Sequence, residues 1–387
     1  MAESIHARLQ DDFAVRDAQL LRFAEGESRK LQRGLSIIRR DVSAATRLMN
    51  PTGAKRRDTQ ERRAETLAGL YIGSILLQGF IGSAPAIPRQ AAFETYDEEY
   101  VPIVRSFDTS LQDLGVQESI EVHTTLNEAI GVGLANREVE EDTLREEIVA
   151  LIVLGFTLEE AFTELSRRLQ VQIRALLRES VQAGEALAAI EAKIREQFNK
   201  AAVSVDRIAK THVAATVALA RQLFYEANGN VVRGVWHRSV FDSRTSHICL
   251  ARGVLPNVYL LPDYRPLPPT PHPYFPGVPY HPKCRSSMLP WVRSLASLRQ
   301  QLPRRQRGQL NLLSAEELEA LDGERPVPIG LDELITRRRG EELRQVLGAK
   351  RYDLYREGKL TFENLIDQRG RPLTLADLER RRSRGAA

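Results

Sequence analysis

Residues 157–176 read TLEEAFTELSRRLQVQIRAL. Leu158, Phe162, Leu165, Leu169, Ile173 and Leu176 recur every three or four positions, which is one apolar stripe on an amphipathic helix. Thr157 and Glu160 frame its start as a capping box, in which the hydroxyl and the carboxylate each take a free backbone N–H. Gly184 interrupts the pattern, and Leu187, Ile190, Ile194 and Phe198 then mark a further helix. An Ala-rich helix from Val205 to Ala227 follows, stopped by Asn228-Gly229-Asn230.

Working outward, residues 1–49 are charge-dense with apolar residues at helical spacing, and Asn50-Pro51-Thr52-Gly53 breaks them. A helical block from Ala54 runs into an uncharged stretch, 66–88, ended by Pro85 and Pro88. Helices are expected around Tyr96–Phe107 and Glu118–Ala135. The character changes at 231. Val231 to His237 is β-favouring and reads as a strand, with Ser287 to Val292 as a returning strand anchored by Trp291. Between them, residues 256–290 hold 11 of the 19 prolines, so something other than a backbone ladder must pin this loop. Beyond it come a basic linker and a small helical unit with capping-box patterns at Ser314–Glu317 and Thr374–Asp377. The basic end, Arg380 to Arg384, reads as frayed. The expected fold is mainly α with a small β-containing module. The segments are 1–53, 54–230, 231–293, 294–313 and 314–387.

The chain has 387 residues, 42% hydrophobic and 27% charged, ample for a buried core and neither disordered nor an integral membrane bundle. Fifty-five Lys and Arg against 51 Asp and Glu give a net charge of +4, too small a bias to argue by itself for nucleic acid. Residues 1–20 carry Glu3, Asp11, Asp12 and Asp17 and no apolar leader. The run 66–88 contains Gln78, Gly69, Gly73, Gly79, Gly82 and Pro85, which favours a buried helix and loop over a spanning segment.

Two cysteines exclude a disulfide-dense scaffold. They fall in the only cluster of metal-type residues: His247 and Cys249, then His281 and Cys284, with His272 between. Two His and two Cys make a tetrahedral zinc set, and a metal would supply folding energy to a short proline-rich loop. His281-x-x-Cys284 has ordinary ligand spacing, whereas His247-x-Cys249 is tight. The other reading makes both thiols small buried apolar groups. A catalytic reading needs Asp242, His247 and His281 as a metal-dependent nuclease, or Cys249 and His247 as nucleophile and base; no third orienting group is evident. There is no Walker loop, GxSxG or HExxH. The Arg-rich segments 304–307, 337–339 and 380–384 read as solvated, with phosphate contact as the alternative.

Arg207-Ile208-Ala209-Lys210-Thr211-His212, the Ala-rich helix to Tyr225-Glu226-Ala227-Asn228-Gly229, Trp236, Asp242-Ser243-Arg244-Thr245, Cys249, Gly253 and His281-Pro282-Lys283-Cys284-Arg285 stand in a characteristic order. Over about 184–293, and loosely 341–378, the chain resembles the phage Mu F-like minor head proteins, also called phage head morphogenesis proteins. It departs from their pattern at Ser246 and Ser286, which stand where members carry Cys, and in a longer proline-rich insert.

The resemblance implies a structural, non-enzymatic protein of a tailed-phage head, inside the capsid near the portal, active in head assembly or DNA delivery. Expected partners are the portal protein, the major capsid or scaffolding protein, further copies of the chain, and packaged DNA through the Arg-rich segments. An internal protein ejected with the genome, meeting the host membrane through 66–88, and a metal-dependent nuclease are the alternatives. His247, Cys249, His281 and Cys284 are the expected zinc ligands.

Overall fold

The computed structural model describes residues 5–49, 89–130, 133–183, 185–253, 257–267, 272, 274–275, 277–301, 340–367 and 371–385. In chain order the helices are α1 (Ile5–Met49), α2 (Arg89–Ile130), α3 (Glu141–Val149), α4 (Leu158–Gln182) and α5 (Leu187–Ala227). Strand β1 (Val232–Arg238), α6 (His247–Gly253), β2 (Val258–Leu260), β3 (Arg265–Pro266) and β4 (Ser287–Val292) follow. The order closes with α7 (Leu295–Gln301), α8 (Gly340–Leu347), α9 (Ala349–Arg356), a 3-10 turn (Phe362–Leu365) and α10 (Leu375–Gly385). The fold is mainly α with one small antiparallel sheet, as the sequence patterns imply.

Two boundaries differ from expectation. The segment 187–227 is one continuous helix, because nothing between Phe198 and Val205 breaks it. The expected helix around 96–107 and most of that around 118–135 merge into α2, which ends at Ile130, leaves 133–135 non-helical, and carries Pro102 inside it, giving up one backbone hydrogen bond there. The run 66–88, the Ser314 cap, the Arg304 and Arg337 segments and residues 302–313 of the expected linker lie outside the described residues. The first part of that linker, Leu295–Gln301, is helical, with Leu295 and Leu298 fully buried. The basic end is helical through Gly385, opened by Thr374 and Asp377 exchanging backbone bonds at 2.9 and 3.2 Å. Among the described residues no helix is long and apolar enough to cross a membrane.

The chain forms two compact units, each gathered from segments distant in sequence. One comprises residues 22–112 and 149–213. Its core joins Val42 to Ile173 and Leu177 of α4 and Ile190, Ile194 and Phe198 of α5. Thr157 N–H donates to Glu160 Oε2 at 2.8 Å and Glu160 N–H to Thr157 Oγ1 at 3.3 Å, which realises the capping box. Of the stripe, Leu158, Phe162 and Ile173 are buried and Leu165, Leu169 and Leu176 half-buried.

The other unit comprises residues 1–21, 113–148 and 214–387. Its sheet has the order β3-β2-β1-β4, with Val235 opposite Tyr259 on one side and Pro290 on the other. Pro290 is tolerated because β4 is an edge strand. Gly234 lies against the Tyr259 carbonyl, where a Cβ would overlap the neighbouring backbone. Val235, Trp236, Val258, Tyr259, Leu289 and Val292 pack with Ile5, Leu9 and Phe13 of α1 and Val122 and Leu126 of α2. Beside this apolar core, Arg221 is fully buried between Glu118 (2.7 Å) and Asp17 (2.9 Å). Asp17 also receives Arg238 of β1 (3.1 Å) and Ser287 of β4 (2.6 Å), so one carboxylate ties α1 and α5 to both strands. A second cluster joins Phe241, Leu250 and Ala251 to Leu343, Leu347, Leu360, Phe362 and Leu365, which seats the C-terminal helices on α6.

Candidate metal centre

After β1 the chain turns at Asp242. Its Oδ1 accepts the Arg244 N–H (2.8 Å), and Thr245 Oγ1 accepts the Asp242 N–H (2.7 Å) while donating to the Val240 carbonyl (2.9 Å). The Arg244 side chain is exposed and 3.6 Å from Asp242, but Arg285 grips the same carboxylate with two bonds of 2.7 and 2.5 Å. That grip holds the Asp242 carboxyl below the usual carboxylate range. The pair therefore contributes stability at neutral pH that is lost in acid, below about 3.9, as the pH falls through the lowered pKa. Residues 43 apart are thus fastened together.

This places α6 beside the turn 281–284. Ser246 caps α6 by accepting the Cys249 N–H at 3.1 Å. Gly253 ends it against Ser239 and Phe241, where a Cβ would come within 2.6 Å of Ser239. The His281–Cys284 turn is closed by the Cys284 N–H on the His281 carbonyl (3.1 Å), with Pro282 second and Lys283 third at φ 59°. Proline followed by a left-handed residue is the type II pattern.

Cys249 Sγ, Cys284 Sγ and a ring nitrogen of His281 lie within 4.8 Å of one another and form the one group of this kind among the described residues. Cys249 Sγ is 3.0 Å from His281 Nε2 and 3.7 Å from Cys284 Sγ. Both thiols are buried and the imidazole is half-buried. His281 Nδ1 donates to the Pro282 carbonyl at 2.9 Å, which puts the neutral ring's lone pair on Nε2, facing the sulfurs. The Cys249 thiol donating to Cys284 raises the Cys249 pKa and lowers that of Cys284. Burial opposes a charged His281, but the bond and charge of Cys284 outweigh it and raise the His281 pKa. Two soft sulfurs and an oriented imidazole fit a metal ion, so Cys249, His281 and Cys284 could hold one.

His247 does not join them. It faces the C-terminal helices, with a 2.8 Å bond between Nε2 and the Val346 carbonyl, and burial lowers its pKa. On a helix, residues two apart point to different sides, so His247 and Cys249 cannot both face the turn. His272 is buried elsewhere, bonded to the Ala251 backbone. The trio Asp242, His247 and His281 is not assembled either, since Arg285 and the Val346 carbonyl hold the first two.

The two serines at the departing positions both border the group. Ser246 Oγ is 2.7 Å from His281 Nε2, and Ser286 Oγ donates to Cys249 Sγ at 3.2 Å while bonded to Ser239 at 2.8 Å. The proline-rich loop is pinned by aromatic contacts. Tyr259 OH donates to the carbonyls of His272 (2.8 Å) and Tyr274 (3.1 Å), and Phe275 stacks between Tyr264 and His237. His237 is fully buried, and desolvation, aided by Arg252, lowers its pKa to about 3. The Asp17–Arg221–Glu118 network has no counterpart among the residues singled out from sequence; pairs 103 and 204 positions apart leave no local signal.

Comparison with protein-family models, curated proteins and solved structures finds no match for this chain.

Proposed function

We propose that the chain is a structural minor head protein of a tailed bacteriophage, acting in head assembly at or near the portal inside the capsid. The observation that carries this reading is the convergence of the family-like motif. Asp242 with Arg285, and Cys249 with His281 and Cys284, are brought together across some 40 residues into one clamp. The motif's Gly253 also fits a contact that excludes a side chain. A motif that builds a scaffold rather than a reacting centre suits a docking role. The reading includes zinc as the resident metal, because the donors are two sulfurs and one imidazole. Bound there, zinc would cross-link α6 to the 281–284 turn and supply folding energy, with Cys249, His281 and Cys284 as its protein ligands. The partners are the portal protein, the major capsid or scaffolding protein and further copies of the chain. The experiment is to express the full chain with the portal protein of the same phage and to analyse purified virions by mass spectrometry. Co-purification or presence in virions is expected; absence from both would overturn the proposal.

A further inference from the structure

On the metal reading above, the three protein ligands leave a fourth coordination position to account for. Zinc sites carry four donors, and Ser is not among the usual ones. Among the described residues only Cys249, His281 and Cys284 supply His, Cys, Asp or Glu atoms to the group. The Asp242 carboxylate is held by Arg285. Among the described residues two serines stand at hydrogen-bond distance from the group. Ser286 is buried, bonded to Ser239, and donates to the Cys249 sulfur, so it supports a ligand. Ser246 is different. It is half-buried, and its hydroxyl lies 2.7 Å from the nitrogen that a metal would take. Its oxygen already accepts the Cys249 N–H as the helix cap. When His281 Nε2 turns its lone pair to a metal, the Ser246 O–H loses that acceptor and is left beside the ion. His281 and Ser246 are both half-buried, whereas the two cysteines are buried.

We infer that Ser246 borders the fourth coordination position without filling it, so that a metal held by Cys249, His281 and Cys284 keeps one position exchangeable for a small anion. Three protein donors leave a tetrahedral ion one position to fill from solvent, and the ion can still cross-link the elements that carry those donors. Ser246 acts as a hydrogen-bond donor to the anion that enters.

The test uses the full chain loaded with Co²⁺ and titrated with azide, read by visible absorption. Binding of cobalt with thiolate-to-metal charge transfer and a saturable azide shift of the visible bands is expected for the wild type. Ser246→Ala should take up cobalt in the same ratio and still respond to azide, with weaker affinity. Ser246→Cys should raise the charge-transfer band from that of two thiolates to that of three, and abolish the azide response. A wild type that binds cobalt but ignores azide would overturn the inference while leaving the metal reading intact. A response that appears only in Ser246→Ala would overturn it too, by showing that the serine fills the position. Absence of cobalt uptake would remove the metal reading and this inference with it.

Discussion

Between Leu158 and Ala227 the chain is held by buried side chains at helical spacing; between Ser239 and Ser286 buried apolar residues are joined by single polar and sulfur atoms at no fixed spacing. In the first region Ile173, Leu177, Ile190, Ile194 and Phe198 exclude water together, and each contributes by area. In the second, a carboxylate gripped by Arg285, two thiols and an oriented imidazole do the fastening. Truncating one packed side chain costs stability by the cavity it opens and leaves the other contacts in place, whereas a clamp built from unique atoms loses its link when one is removed. The two regions should therefore respond to different perturbations.

The largest effects are expected on α5, first at the buried guanidinium of Arg221. Arg221→Ala removes the fully buried cation between Glu118 and Asp17, leaving only Arg16 on Glu118 and Arg238 and Ser287 on Asp17, and should cost about 3 kcal/mol in denaturant unfolding. A loss under about 1 kcal/mol would mean that the network is solvated. Next, Ile194→Ala should cost about 3 kcal/mol through the cavity it opens. It should leave metal content unchanged; metal loss in this variant would blur the contrast drawn between the regions.

The module should also weaken in mild acid. His237 has a folded pKa lowered to about 3 by burial, so it stabilises the fold fully above its unfolded value of about 6.5 and loses that contribution as the pH falls toward 3. From pH 7 to pH 5 this amounts to about 2 kcal/mol. His237→Phe should shrink the wild-type drop by that amount, and an unchanged drop would contradict the assignment. The smallest effect is expected at His247. Replacing it with Ala removes one bond to the Val346 carbonyl, costs about 1 kcal/mol and leaves metal binding intact. Loss of metal in that variant would return His247 to the ligand set.

What the sequence disclosed follows the same division. The α4 stripe, the Thr157 cap, β1 and β4 are periodic or local, so they are legible from spacing alone. The merging of 187–227 into one helix was hidden because two apolar patterns on one long helix look like two helices. At the candidate centre, the residue types and the His281-x-x-Cys284 spacing pointed to three of the donors. His247 stands outside the group because α6 turns it toward Val346, away from Cys249 two positions on. Arg285 as the partner of Asp242, and the Asp17–Arg221 pair, depend on the path of the chain.

The proposed zinc ion, held by Cys249, His281 and Cys284, would fasten the module. Native mass spectrometry of the full chain, purified without chelator, tests it most directly when the wild type is run beside Cys284→Ser and His247→Ala. The account predicts one zinc per chain in the wild type and in His247→Ala, and none in Cys284→Ser. A wild type that stays metal-free after zinc is added, with both thiols still open to alkylation, would contradict it.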